Sequence, residues 1–134
     1  VGHIRNPSRV HGSKAFGPKP HNYDKKVNKK VRQLARRSVL SQKVSKNSFI
    51  VLDNIFPETP KTSEFTGLLK NFNLTEKKVT VLTDSMEENL YLGSRNIKNI
   101  CVVPVQSASA YDLLDCQMIL ANEASVEILN KQLS

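Results

Sequence analysis

Apolar residues follow one rhythm in the last two thirds of the chain and none in its first 22 residues. Four short, nearly continuous apolar runs lie at Ser48–Leu52, Lys78–Thr83, Ile100–Val105 and Gln117–Ala121. Runs of this length, rich in Val, Ile and Leu, are typical of strands that are buried on both faces of a sheet. The pattern therefore predicts four buried strands.

The segments between these runs carry apolar residues at helical spacing. A helix through Phe65–Phe72 is expected, capped by Thr59 or Thr62, and shorter helices are expected at about 87–95 and 108–114. A last helix is expected at about 123–132. Strands that alternate with helices predict an α/β fold, with a mostly parallel, Rossmann-like sheet and flanking helices.

The first third of the chain has a different organisation. Residues 1–22 contain three of the six prolines and three of the five glycines, which excludes a helix and predicts an extended arm. Residues 23–134 form the predicted α/β domain, which begins with an amphipathic helix at about Asp24–Val44. Its apolar stripe, expected to dock on the domain, consists of Val27, Val31, Leu34, Ala35 and Ser38, whereas Leu40 and Val44 break the pattern.

Charge separates the same two regions. Residues 1–48 hold thirteen of the twenty lysines and arginines and a single acid, Asp24, for a formal charge of +12. The remaining residues carry a formal charge of −4, and all three histidines lie in the basic third. This asymmetry favours an arm that binds a polyanion, and the alternative is a solubilising tail.

The basic third also has the composition of a surface for folded RNA. Cations recur along the arm, aromatic and imidazole rings stand among them, and the predicted helix has a basic face that is almost free of acids. Phe16 and Tyr23 have a second interpretation as anchors on the domain, and a solvated charged face is the alternative for the helix. The candidate RNA-binding residues are Arg5, Arg9, His11, Lys14, Phe16, Lys19, His21, Tyr23, Lys26, Lys29, Lys30, Arg32, Arg36 and Arg37.

Catalytic chemistry has little support in the sequence. Neither G-x-G-x-x-G nor G-K-[ST] occurs, and no cofactor or small-molecule substrate is expected. The acidic segment Asp84–Glu88 can hold Mg²⁺ or can simply favour a helix dipole. Cys101 and Cys116 are expected to be buried free thiols, and no apolar stretch is long enough to span a membrane.

Several segments, in order along about residues 4–133, resemble the bacterial-type ribosomal protein four of the large subunit. They are Phe16–Pro20, Tyr23, Lys25–Val31, Leu34–Ala35, Ser38–Ser41, Pro60–Thr62, Glu88–Leu92, Ser94–Asn96 and Tyr111–Leu114. The resemblance implies a non-enzymatic protein that binds large-subunit ribosomal RNA beside neighbouring ribosomal proteins. Arg95 is a weaker second candidate for RNA contact, with helix capping as its alternative.

The resemblance also implies a particular role for the arm. In that family a long loop reaches the wall of the nascent-peptide tunnel, and residues 1–22 match its returning limb. The family's first strand and the outgoing limb have no counterpart in this sequence. The implied location is the ribosome, in the cytoplasm or in an organelle. An RNA-modifying enzyme and a regulator that binds messenger RNA are the alternatives.

Overall fold

The computed structural model describes residues 2–57 and 59–133. Within that part the chain forms an α/β fold with five helices and four strands. The helices are α1 (Lys29–Ser45), α2 (Thr62–Asn71), α3 (Glu88–Ser94), α4 (Ala110–Asp115) and α5 (Glu123–Leu133), and the strands are β1 (Phe49–Leu52), β2 (Val79–Thr83), β3 (Ile100–Pro104) and β4 (Met118–Asn122). The four predicted strands are confirmed with shifts of one residue at their ends.

The four strands form a parallel sheet in the order β1-β4-β2-β3. Parallel neighbours need crossover connections, which α2, α3 and α4 supply. β2 and β4 are the central strands, and all five residues of β2 are buried. This burial on both faces explains why the strands appear in the sequence as continuous apolar runs rather than as alternating ones.

Two apolar cores lie on opposite faces of the sheet. Phe65 and Leu69 of α2 and Leu90 of α3 pack over Val79 and Val81 on one face. The other face is covered by α4 and α5, whose cluster is Leu113 and Leu129 with Leu82, Ile119 and Ala121. α1 contacts α4 and α5, so it lies on this second face.

α1 differs from its prediction in both its start and its orientation. The helix begins at Lys29 rather than at Asp24, with Asn28 as its N-cap residue. The stripe expected to dock faces solvent, since Val31 is 55% and Leu34 is 62% exposed. The prediction that this stripe packs on the domain is therefore wrong.

The docked face of α1 is the one that includes Val39, Leu40 and Lys43. Val39 and Leu40 pack against the apolar cluster under α4 and α5, and Lys43 beside them is only 7% exposed. The Lys43 ammonium donates a hydrogen bond to the carbonyl of Cys116, the C-cap residue of α4. A cation at a helix C-terminus meets the negative end of the dipole, which explains how a lysine can be accommodated there.

The two cysteines occupy different environments. Cys116 is buried, in agreement with its prediction, and its thiol lies 3.2 Å from the carbonyl of Leu113. Cys101 lies on the edge strand β3 and is exposed, so the expectation that it is buried is wrong. Partial burial, followed by the charge of Asp112, raises the pKa of the Cys101 thiol.

Candidate nucleic-acid interface

The arm begins with a compact set of turns. The amides of Asn6, Arg9 and Gly12 donate hydrogen bonds to the carbonyls three residues earlier, at 2.9–3.0 Å, and the Ser13 amide closes the set on the Arg5 carbonyl at 2.9 Å. Residues 3–13 thus differ from the extended chain expected for them. A Cβ at position 12 would lie 2.0 Å from the Asn6 carbonyl oxygen, so the close approach requires glycine.

These turns bring the first cations of the arm into one small loop. Arg5 and Arg9 are exposed on it, Lys14 is exposed directly after it, and His11 is exposed with a φ of 64°. A left-handed φ is uncommon for residues other than glycine, although histidine is among those enriched there. The loop therefore presents two cations, and the imidazoles of His3 and His11, to solvent from a backbone closed by hydrogen bonds.

The rest of the arm presents rings and further cations. Phe16, Lys19, His21 and Tyr23 are all exposed, and so is Lys26 just before α1. The centroids of the His21 and Tyr23 rings lie 4.3 Å apart with the planes tilted by 49°, so the two rings are in contact. Phe16 is fully exposed, so the structure does not place it as an anchor on the domain.

The cations of α1 point in more than one direction. Lys30 and Arg37 are exposed, and Arg37 lies beside an apolar groove that Leu40 and Val44 line. Lys29, Arg32 and Arg36 instead line a cleft between α1 and the end of α5. The predicted basic face is therefore divided between solvent and the body of the domain.

Arg36 stands near a carboxylate that is already well satisfied. Asp112 accepts hydrogen bonds from the Ser109 hydroxyl at 2.7 Å and the Ser109 amide at 2.8 Å, and its own amide donates to the Ser109 hydroxyl at 3.2 Å. These bonds form a capping box at the start of α4. The Ser109 hydrogen bonds, helped by the charge of Arg36, lower the pKa of Asp112.

The acidic segment after β2 is joined to the body by its first residue. Asp84 accepts a hydrogen bond from the Asn122 amide at 3.0 Å, which is the main reason that its pKa is lowered. The same Asn122 accepts a bond from the Ser125 amide at 2.9 Å. These contacts connect the carboxyl ends of β2 and β4 to the start of α5.

Arg95 lies apart from the other candidates. It is the exposed C-cap residue of α3, and its amide donates to the Tyr91 carbonyl at 3.0 Å. Because α3 packs on the face of the sheet opposite α1, Arg95 does not share a surface with the cations of α1.

Comparison with known proteins shows which family the chain belongs to. The model of the ribosomal protein L4/L1 family matches residues 1–132. The chain belongs to the ribosomal protein L4/L1 family. Its relatives include the large ribosomal subunit protein uL4 of Halothermothrix orenii, which is 40% identical over 133 residues, 99% of this chain and 64% of that protein.

Two further L4/L1 family members have similar scores. The large ribosomal subunit protein uL4 of Bacteroides thetaiotaomicron is 37% identical over 129 residues, which are 96% of this chain and 62% of that protein. The corresponding protein of Chloroherpeton thalassium is 38% identical over 132 residues, 98% of this chain and 63% of that protein. The chain thus spans a little less than two thirds of the length of these relatives.

In this L4/L1 family member the sequence pattern missed one group of residues near the cations of α1. Lys131 and Gln132 of α5 and Gln106 after β3 join Lys29, Arg32 and Arg36 in the cleft. No local pattern marks them, because they come together only when α5 packs beside α1.

In the described part of the chain, no helix is both long and apolar enough to cross a membrane.

Proposed function

We propose that the chain is a non-enzymatic, structural constituent of the large ribosomal subunit that binds ribosomal RNA. The observation that carries the proposal is the match of residues 1–132 to the ribosomal protein L4/L1 family. Its relatives are named as large ribosomal subunit proteins. Its partners would be large-subunit ribosomal RNA and neighbouring ribosomal proteins, in the ribosomes of the cytoplasm or of an organelle.

The charge distribution supports the arm and α1 as the RNA-binding region. The first 48 residues carry a formal charge of +12, and the side chains of the arm are exposed to solvent. Each phosphate that such cations neutralise releases condensed counterions, which favours binding at low salt. His21, Tyr23 and Phe16 are exposed, and rings of these kinds can stack on unpaired bases of RNA.

The direction of the arm follows from the family resemblance. Residues 1–22 resemble the returning limb of the loop that reaches the nascent-peptide tunnel. The arm carries cations at Arg5, Arg9, Lys14 and Lys19, so it can run between phosphate groups while the folded α/β domain remains outside the RNA. We therefore propose that the arm is directed towards the exit tunnel.

RNA binding is tested with matched charge variants of the whole chain. The first replaces Arg5, Arg9 and Lys14 with Gln, and the control replaces the exposed Lys70, Lys77 and Lys98 with Gln. Both lose three charges. Binding to a large-subunit ribosomal RNA transcript is measured from 50 to 400 mM salt. The arm variant should lower the slope of log affinity against log salt by about 2–3, and the control should leave it unchanged.

Co-sedimentation with large ribosomal subunits at high salt tests the structural role. Stable co-sedimentation supports a ribosomal constituent. If the chain binds the transcript but dissociates from the subunits at high salt, the result would instead favour a regulator that binds messenger RNA. Saturable binding of a nucleotide or a methyl donor would favour the RNA-modifying enzyme. A flat salt response would refute electrostatic RNA binding altogether.

A further inference from the structure

The α1–α5 cleft collects cations from two elements that are far apart in the sequence. Lys29, Arg32 and Arg36 of α1 face Lys131 of α5 across a cleft of about 740 Å³. The amide side chains of Gln33, Gln106 and Gln132 complete much of its polar lining, and no acidic residue lines it. Four like charges around one concavity repel one another, so an anion in the cleft would stabilise the arrangement.

The four cations are not neutralised by the protein itself. Within residues 2–57 and 59–133, the ion pair closer than 4 Å is Lys78–Asp115, which lies outside the cleft. Asp112 is the acid whose pKa is lowered by the hydrogen bonds from Ser109 and, to a lesser extent, by the charge of Arg36, but it does not line the cleft and forms no ion pair with Arg36 within 4 Å. The cleft thus keeps its positive charge for a ligand.

Hydrogen bonds hold the walls of the cleft in place. The Gln33 side-chain amide donates to the Gln132 carbonyl at 2.5 Å, which joins α1 to the last turn of α5. The Arg32 guanidinium donates two bonds to the Val27 carbonyl, at 3.2 and 3.1 Å, and these orient it at the start of α1. Cations that are already positioned lose less side-chain entropy when they bind an anion.

The spacing of the cations fits a strand of phosphates better than one phosphate ion. Lys29, Arg32 and Arg36 lie within eight residues of helix, and the rise from the first to the last is about 10 Å at 1.5 Å per residue. Phosphates of one nucleic-acid strand follow one another at about 3.4 Å along the helix axis, so about three intervals, or four successive phosphates, match this length. The cleft also lies at the end of α1 where the arm joins the body.

We infer that the α1–α5 cleft is a second RNA-binding site, which takes the phosphate backbone of one strand and includes Lys131 of α5. The inference rests on the proposed RNA-binding function and adds a site on the body that is separate from the arm. The Arg36 guanidinium can contact two phosphate oxygens at once, and Arg32 can add the N–H groups that its bonds to Val27 leave free. Lys29 and Lys131 act as point charges on either wall.

The test uses two variants of the whole chain, Lys131→Gln and Lys70→Gln. Both residues are exposed lysines in the last turn of a helix, but Lys70 of α2 lies on the opposite face of the sheet. The two changes therefore remove the same charge from equivalent positions, and thermal melting checks that both variants fold alike. The probe is a large-subunit ribosomal RNA transcript.

Lys131→Gln should lower the salt slope by about one and weaken binding about tenfold at 0.1 M salt. Lys70→Gln should bind like the unmodified chain. Equal binding by the two variants overturns the cleft site, and if the arm variant still weakens binding, the proposed function stands without it. Absence of RNA binding by the unmodified chain refutes both. Polyglutamate serves as a competitor that represents an acidic protein. If polyglutamate displaces the RNA from the unmodified chain but not from Lys131→Gln, the ligand of the cleft is an acidic protein rather than RNA.

Discussion

The position of α1 depends on Lys43, and replacing this residue with Met isolates its ammonium group. Met keeps an unbranched side chain of similar length, so most of the apolar contact of the Lys43 stem is retained. What is lost is the charge-assisted hydrogen bond to the Cys116 carbonyl, at the C-terminal end of α4. The change therefore tests one contact rather than the packing of the whole helix.

The expected cost follows from the burial of this contact. A hydrogen bond from a charged donor contributes about 1.5–3 kcal/mol, and the favourable helix-end position adds a few tenths more. Removal of a buried charge offsets part of this loss, because Lys43 is only 7% exposed and its ammonium group has lost hydration on folding. Lys43→Met should thus lower the free energy of unfolding by about 1–3 kcal/mol.

Urea denaturation followed by circular dichroism measures the effect. For a chain of this size the slope is about 1–3 kcal/mol per molar urea, so the midpoint should fall by about 1 M. Lys30→Met is the matched control, because Lys30 is exposed on the same helix and the substitution is identical. If the two variants unfold within about 0.2 M of each other, the contact with Cys116 does not hold α1 on the domain.

Three further predictions concern the arm, a helix cap and the thiols. Gly12→Ala should open the turns of residues 3–13, seen as faster hydrogen exchange of the Ser13 amide, and leave the unfolding midpoint unchanged; slow exchange would contradict the steric argument. Ser109→Ala should lower the free energy of unfolding by about 1 kcal/mol at neutral pH. Folding lowers the pKa of Asp112, so this stabilisation exists above its ordinary pKa of 3.8 and disappears as the pH falls through the lower folded value. Urea titrations at pH 7 and below pH 3 should show that the difference in unfolding free energy between the variant and the unmodified chain shrinks at low pH. An equal difference at both pH values would contradict the prediction. Iodoacetamide should modify Cys101 in the folded chain, faster as pH rises past 9, but Cys116 only after unfolding; mass spectrometry that finds both sites labelled in the folded chain would show the opposite.

The sheet could be predicted from local pattern because each strand is buried on both faces. A run such as Ile100–Pro104 needs no knowledge of its neighbours to be recognised. The order of the strands could not be predicted in the same way, since it depends on which crossover passes over β4. The later helices followed from their apolar spacing, but the expected cap of α2 was wrong, because its N-cap residue is Lys61 rather than Thr59 or Thr62.

The orientation of α1 was missed because hydrophobicity is a poor guide when a helix docks through long polar side chains. Gln33, Arg36 and Lys43 turn towards the body, where Gln33 and Lys43 find backbone carbonyls on other helices. Leu40, which broke the predicted stripe, lies on the docked face and was the one signal of the true orientation. The cleft could not be predicted either, because Lys131 lies about a hundred residues from Arg32.

This orientation also limits how RNA can approach α1. The face of α1 opposite the docked one presents Val31, Leu34, Ser38 and Ser45, none of which is charged. The hydroxyls of Ser38 and Ser45 already donate to carbonyls four residues earlier, at 3.0 and 2.9 Å. Phosphates would gain little from that face. The cations instead concentrate at the N-terminal end of the helix, where the arm and the α1–α5 cleft meet, so one strand of RNA can contact both without crossing the uncharged surface.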